Sequence, residues 1–229
     1  MRGALPGHDR GLSGAGRRTT AKPFMARWPL RGGASCRILA PPLMNADSPP
    51  PDPAVPDDLP LAWNDPDGTR FLVRPIAPGD FERVRTFQDE LSFGTRYFRF
   101  GRGDFRYADE QLRGLCSPDP AQREHLVALA GEEGAEQPMA GSARYIVSDD
   151  GQEGEFTIVV LDRWQGHGLG RRLMRALIAL ARRRGLQRLH GQILGSNRRM
   201  LEFVARLGFA LEPESRGQPI RRVSLALRR

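Results

Sequence analysis

Three glycines at alternate positions, Gly166, Gly168 and Gly170, separate an apolar run ending at Leu161 from a long amphipathic stretch. Strand, glycine turn and helix in that order make an anion cradle. The first amides of a helix have no intrahelical partner. The macrodipole adds partial positive charge at the same end. Glycine lets the backbone approach a ligand without a Cβ in the way. The chemistry that fits is phosphate binding. Two familiar phosphate loops are excluded by spacing. A dinucleotide fold needs G-x-G-x-x-G and an acidic residue about 20 residues on; here residues 181–185 read ARRRG. A Walker A loop needs Gly-Lys followed by Ser or Thr, which the chain lacks.

The elements that position this loop follow from periodicity. Residues 155–161 read as the central strand, and Gly168–Arg184 as the strongest helix. Leu169, Leu173, Leu177, Leu180 and Ala181 fall on one stripe at helical spacing. Arginines crowd the other face and the last turn, and Gly185 suits the C′ position. Upstream, residues 71–76 alternate as a strand, Pro78-Gly79-Asp80 supplies a turn with Asp80 as helix N-cap, and residues 81–91 form a helix. Residues 108–116 have helical spacing, and 125–130 and 139–147 read as adjacent antiparallel strands. Downstream come a strand over 186–194, a helix over 197–207 closed by Gly208, a short strand at 209–211 and a last strand over 220–227. Strands and helices interleave into one α/β domain.

Gln165-x-x-Gly168-x-Gly170 resembles the pyrophosphate-binding loop of the GNAT superfamily, the acetyl-CoA-dependent N-acetyltransferases. Asn197, followed 11 residues later by Gly208-Phe209, is a common ending of that fold. Val73-Arg74-Pro75-Ile76 and the segment LSFGTRYFRFG at 91–101 resemble the start of Pat-type protein lysine acetyltransferases. Those domains commonly carry LSPES and RYLRFF, so the Pro-Glu-Ser part is missing here. The resemblance implies an α/β (α+β) fold: a single domain over residues 61–229 with a mixed central sheet of about six or seven strands flanked by helices.

It also implies a site. Backbone groups of Ile158, Val159 and Val160 take the pantetheine arm of acetyl-CoA. Gln165, Gly166, His167, Gly168, Leu169, Gly170 and Arg171 hold the pyrophosphate, with Arg171 open to the alternative of a solvated helix arginine. Asn197 caps the last helix and contacts the cofactor. Glu155 matches the catalytic glutamate of Pat-type enzymes in position, with Glu153 as the nearest substitute. Among Phe156, Ile158 and other apolar neighbours its pKa is expected to rise, toward the range of a useful base. The tyrosine that many GNAT enzymes place seven residues after the capping asparagine is Val204 here, and the glutamate of ribosomal-protein N-terminal acetyltransferases is Gln192. Tyr145 and Tyr97 remain as candidate acids. The amine acceptor is a protein lysine or a small molecule; a non-catalytic acyl-CoA-binding module is the third reading.

Composition narrows the partners. The formal charge is +8, yet residues 1–43 hold eight basic residues and one acidic, leaving 27 basic against 26 acidic beyond them. The basicity belongs to the tail, so no nucleic-acid partner is expected. The aromatic-basic run at 97–102 is read as packing onto the sheet. No apolar run approaches the roughly 20 residues of a membrane span. Cys36 and Cys116 have neither disulfide-framework nor metal-ligand spacing, and the four histidines are scattered, so no metal is expected. Residues 1–60 lack apolar periodicity and contain PPPDPAVPDDLP, which reads as a disordered tail. Its arginine-rich start resembles a transit peptide; the favoured alternative is translation from Met25 or Met44. The expectation is a cytoplasmic protein, monomer or homodimer.

Overall fold

A computed structural model describes residues 59–132 and 137–227. The reading of residues 1–60 as a tail falls almost wholly outside the described residues. The chain runs β1 (Leu61–Asn64), β2 (Arg70–Pro75), α1 (Phe81–Glu90), α2 (Phe93–Phe100), α3 (Asp109–Cys116), β3 (Arg123–Ala130), β4 (Met139–Val147) and β5 (Glu153–Val160). It continues through α4 (Leu169–Arg183), β6 (Arg188–Leu194), α5 (Arg198–Arg206), β7 (Ala210–Leu211) and β8 (Ile220–Ala226).

The strands form one eight-stranded sheet in the order β1-β2-β3-β4-β5-β6-β8-β7. The expected count of six or seven is exceeded by the edge strands. β1 has four residues and β7 two, too short for alternation to announce them. Neighbours pair antiparallel except β5 and β6, which are parallel and joined across α4.

Alternation along the strands makes two cores. Leu126, Ala128, Phe156 and Leu189 face α4 with Leu169, Leu173, Met174, Leu177 and Ala181. Val127, Leu129 and Leu161 face the other way, onto Val84 and Phe87 of α1 and Leu112 of α3. Burial on both faces explains why β3 reads as a nearly continuous apolar run. Helix α4 ends as its sequence suggests: Gly185 takes φ 83°, and the Leu186 amide donates to the Ala181 carbonyl at 3.0 Å. That is the Schellman closure.

Two local expectations are corrected. Asp80 stands at the start of α1, but its carboxylate makes no cap bond to that helix. It turns back to accept from Arg74 Nη1 and Nη2, both at 2.7 Å, and from the Ala77 amide at 2.9 Å. The ion pair outbids the cap because Asp80 is almost fully buried and needs a charge partner. The aromatic-basic segment does not pack wholly onto the sheet. It forms α2, with Ser92 Oγ accepting from the Thr95 amide and Gly101 closing it at φ 73°. Phe100 turns inward against Phe105 and Tyr107, while Phe93, Tyr97 and Phe98 are exposed.

Candidate active site

The site lies where β5 and β6 part. They pair only at Glu153–Arg188, Gly154–Leu189 and Glu155–His190. β5 stays paired with β4 along Gly154–Val160. Beyond Glu155, the β6-facing edge of β5 therefore has no strand partner. The Leu161 amide donates to Ala140 on the β4 side. Alternation then turns the polar groups of Ile158 and Val160 to the open edge, and those of Val159 to β4. Of the three residues expected to meet pantetheine through the backbone, two present their groups to the gap. Val159 instead spends its own on the β4 ladder and lines a cleft with its side chain.

The glycine loop sits across that edge. Gly166 and Gly168 have φ 93° and 77°, which only glycine adopts at ease. Gly168 is the residue before α4, and Leu169 is fully buried beneath the turn. The amides of Gly166, His167, Gly168, Leu169 and Gly170 meet no acceptor among the described residues. A methyl added at Gly170 would stand 3.6 Å from the Phe203 ring and 3.7 Å from Ile158. Loop, β5 and α5 thus converge at the first turn of α4. Arg171 is exposed in that turn.

Gln165 is a strut rather than a loop donor. Its Nε2 donates to the Val160 carbonyl at 3.0 Å and its Oε1 accepts from Arg199 at 3.0 Å. It bridges the end of β5 to α5 and sets the loop's entry angle. Asn197 caps α5, its Oδ1 accepting from the Met200 amide at 3.1 Å. His167 points away, toward the turn between β1 and β2, with Nδ1 3.3 Å from Asp65.

Glu155 occupies the last paired step before the gap, half-buried on the face that carries α1 and α2. Its Oε1 is buried with no hydrogen-bond partner among the described residues. Burial pushes its pKa up, and the charges of Arg99, Arg222 and Arg144 pull back against that rise. Glu153 is engaged elsewhere, with Arg188 Nε at 2.9 Å and His190 at 3.8 Å. Arg99 is itself lowered to about 10 by desolvation, which leaves it charged at neutral pH. On the same face a cleft, open to solvent, is lined by Arg99, Tyr107, Arg144, Thr157 and Val159 among apolar groups. Arg144 donates to the Tyr107 hydroxyl at 3.3 Å.

Sequence reasoning missed Arg99, Arg144, Tyr107 and the brace from Arg199. Only one signal was available: Arg144 alternates with the buried Tyr145 and so must face the opposite side. That same alternation removes Tyr145 from the candidate acids. It pairs in register with Phe156 and is buried in the α4-side core. Val204, at the position of the missing tyrosine, is a core residue as well.

Comparison with known proteins gives the family. The acetyltransferase (GNAT) family model matches residues 88–209. Acetyltransferase PA5475 of Pseudomonas aeruginosa is 36% identical over 162 residues, 69% of this chain and 86% of its own length. Acetyltransferase Pat of Mycolicibacterium smegmatis is 34% identical over 62% of this chain, a span of only 41% of that longer protein. The crystal structure of the GNAT domain of S. lividans PAT shares the fold at TM-score 0.64 and 24% identity, covering 73% of this chain and 96% of that one. The chain is thus an N-acetyltransferase resembling Pat and belongs to the GNAT acetyltransferase family.

Proposed function

We propose that the protein transfers the acetyl group of acetyl-CoA to a lysine side chain of a protein, with Glu155 as the base. The observation that carries this reading is the buried, unpartnered Oε1 of Glu155 at the step where β5 leaves β6. Acetyl-CoA, when bound, supplies an activated acyl group. The loop amides from Gly166 to Gly170 bind its diphosphate, with Arg171 adding charge at the rim. The open amides of Ile158 and Val160 align the pantetheine arm, and one of them polarises the thioester oxygen. Asn197, at the start of α5, would contact the cofactor. Glu155 takes the proton of the incoming ammonium, directly or through water, and leaves a neutral amine that would attack the thioester carbonyl directly. The C–N bond would form as the C–S bond breaks, and the CoA thiolate would leave and take a proton from water. Holding both reactants in this geometry supplies much of the remaining acceleration.

Charge supports a lysine acceptor over a polyamine. The charged groups acting on Glu155 are all guanidinium, from Arg99, Arg222 and Arg144. A single lysine amine meets them once; a polyamine brings several positive charges into the same field. The exposed rings of Phe93, Tyr97 and Phe98 on α2 offer contact area to a protein surface. A fold neighbour of 16% identity, the spermidine N-acetyltransferase of Vibrio cholerae with CoA and spermine, keeps the small-amine reading in view at TM-score 0.55. Labelled acetyl-CoA offered to the full chain with protein lysates and with a panel of small amines separates the two. Label entering protein lysines is the expected result. Label entering spermidine alone overturns the assignment.

A further inference from the structure

We propose that Asp65, Asp67 and His167 form a binding site for a divalent transition-metal cation, at the junction between the β1–β2 turn and the glycine loop. His167 Nδ1 stands 3.3 Å from Asp65 Oδ2 and 3.9 Å from Asp67 Oδ2. The three ligand atoms lie within 4.8 Å of one another. Nitrogen and oxygen ligands about 2.0–2.2 Å from a tetrahedral zinc stand about 3.3–3.5 Å apart. The Asp65–His167 pair already has that separation, and the Asp67 carboxylate, 75% exposed, is free to swing the remaining distance.

The site is oriented before any ion arrives. The Asp65 side chain is 1% exposed. Its Oδ1 accepts from the amides of Asp67 at 3.1 Å and Thr69 at 2.8 Å. Those two bonds fix the carboxylate plane and aim Oδ2 at the imidazole. Oδ2 is buried and makes no hydrogen bond among the described residues. Its nearest polar neighbour, His167 Nδ1 at 3.3 Å, makes no hydrogen bond to it; a buried carboxylate oxygen left so is costly, and a cation removes that cost. Two carboxylates and a neutral imidazole sum to two negative charges, which a divalent ion balances. Arg172 lies over the Trp63 ring at 4.6 Å from its centroid. His167 is 30% exposed and leaves a path from solvent. The donor set, one imidazole with two carboxylates, suits zinc or manganese and leaves a position for water.

The β1–β2 turn is remote in sequence from the glycine loop, and an ion held here cross-links the two. The site is independent of the acceptor and of Glu155. Calorimetric titration of the full chain with Zn2+ tests it. The expected result is a saturable site that His167→Gln weakens at least tenfold, with an unchanged melting temperature for the metal-free variant. Asp67→Asn, at an exposed carboxylate, repeats the test should the loop variant fold poorly, and is expected to weaken the same site at least threefold. Absence of Zn2+ binding by the parent chain overturns the proposal. So does equal binding by the parent and the folded variants, which would place the ion on other histidines.

Discussion

The Phe156 ring lies directly over Gly191. A Cβ built on Gly191 would stand 2.6 Å from Cε1 and 2.8 Å from Cζ of that ring. These are the residues immediately after Glu155 and His190, the last paired step of β5 and β6. The ring also packs on Phe209, centroids 4.9 Å apart. A bulky side chain on one strand and a glycine on the other thus meet at the point where the strands part. The open edge of β5, and with it the exposed amides of Ile158 and Val160, begins there.

Gly191→Ala follows directly. Phe156 is 4% exposed and wedged against Phe209, so the ring has little room to yield. Overpacking of this kind costs about 1–3 kcal/mol. Urea titration of the variant is expected to show that loss, together with weakened CoA binding because the gap geometry shifts. Unchanged stability and affinity would mean that the wedge does not set the gap.

Glu155→Gln removes the base while keeping size and hydrogen-bonding capacity. A general base contributes about 10²–10⁴-fold, so kcat is expected to fall in that range with CoA affinity held within about twofold. The pH profile gives a second reading. Burial raises the Glu155 carboxyl above the ordinary 4.5. Only the ionised form accepts a proton, so activity rises with pH through that elevated value. The variant is expected to lose this limb.

His125 makes the fold sensitive to mild acid. It is buried, with Nδ1 at 3.1 Å from the Leu115 carbonyl and Nε2 at 2.8 Å from Ser142 Oγ. Desolvation, with the Arg144 charge adding, lowers its pKa from 6.5 to about 4. The unfolded chain therefore binds the extra proton first. The stabilisation from a neutral buried ring is complete above pH 6.5 and is lost as pH falls toward 4. Its full size is about 3 kcal/mol. Denaturant midpoints measured across that window are expected to drop in the parent and to flatten in His125→Gln.

Arg74→Met tests the pair at the end of β2. Asp80 is 2% exposed by side chain, and Arg74 is its bidentate partner, with Arg83 at 3.2 Å. Burial alone would raise the Asp80 carboxyl. The hydrogen bonds from Arg74 and Ala77 and the two guanidinium charges outweigh it and hold the group below 3.8. Its contribution is present above pH 3.8 and lost as pH falls further. Removing Arg74 leaves a buried carboxylate with the Ala77 amide and one guanidinium, Arg83, and is expected to cost about 3 kcal/mol at neutral pH, the low end for a broken buried pair. A melting temperature within a degree of the parent would refute this.

Much of the machinery was legible in the residues. The spacing of Gly166, Gly168 and Gly170 announced a loop whose backbone can approach an anion before a helix, and Gly166 and Gly168 take positive φ there. Asn197 announced a cap and makes one. The stripe from Leu169 to Ala181 announced a buried helix face and is one. Glu155 at the head of an apolar strand announced a desolvated carboxylate, and burial does raise its pKa. The loop and the cap depend on neighbours within a few residues along the chain; the stripe and the head of the strand announced burial through their pattern, and packing against distant elements completed it.

Other features were decided only by elements far apart in sequence coming together. The guanidinium field of Arg99, Arg144 and Arg222 around Glu155 draws on α2, β4 and β8. The brace of Gln165 reaches Arg199, and Asp80 chose Arg74 over its own helix. The meeting of Asp65 with His167 joins residues 102 positions apart. Local periodicity records which face a side chain takes. Which charge it meets on that face is set by strand order and register, and those exist only once the sheet has closed around its two cores.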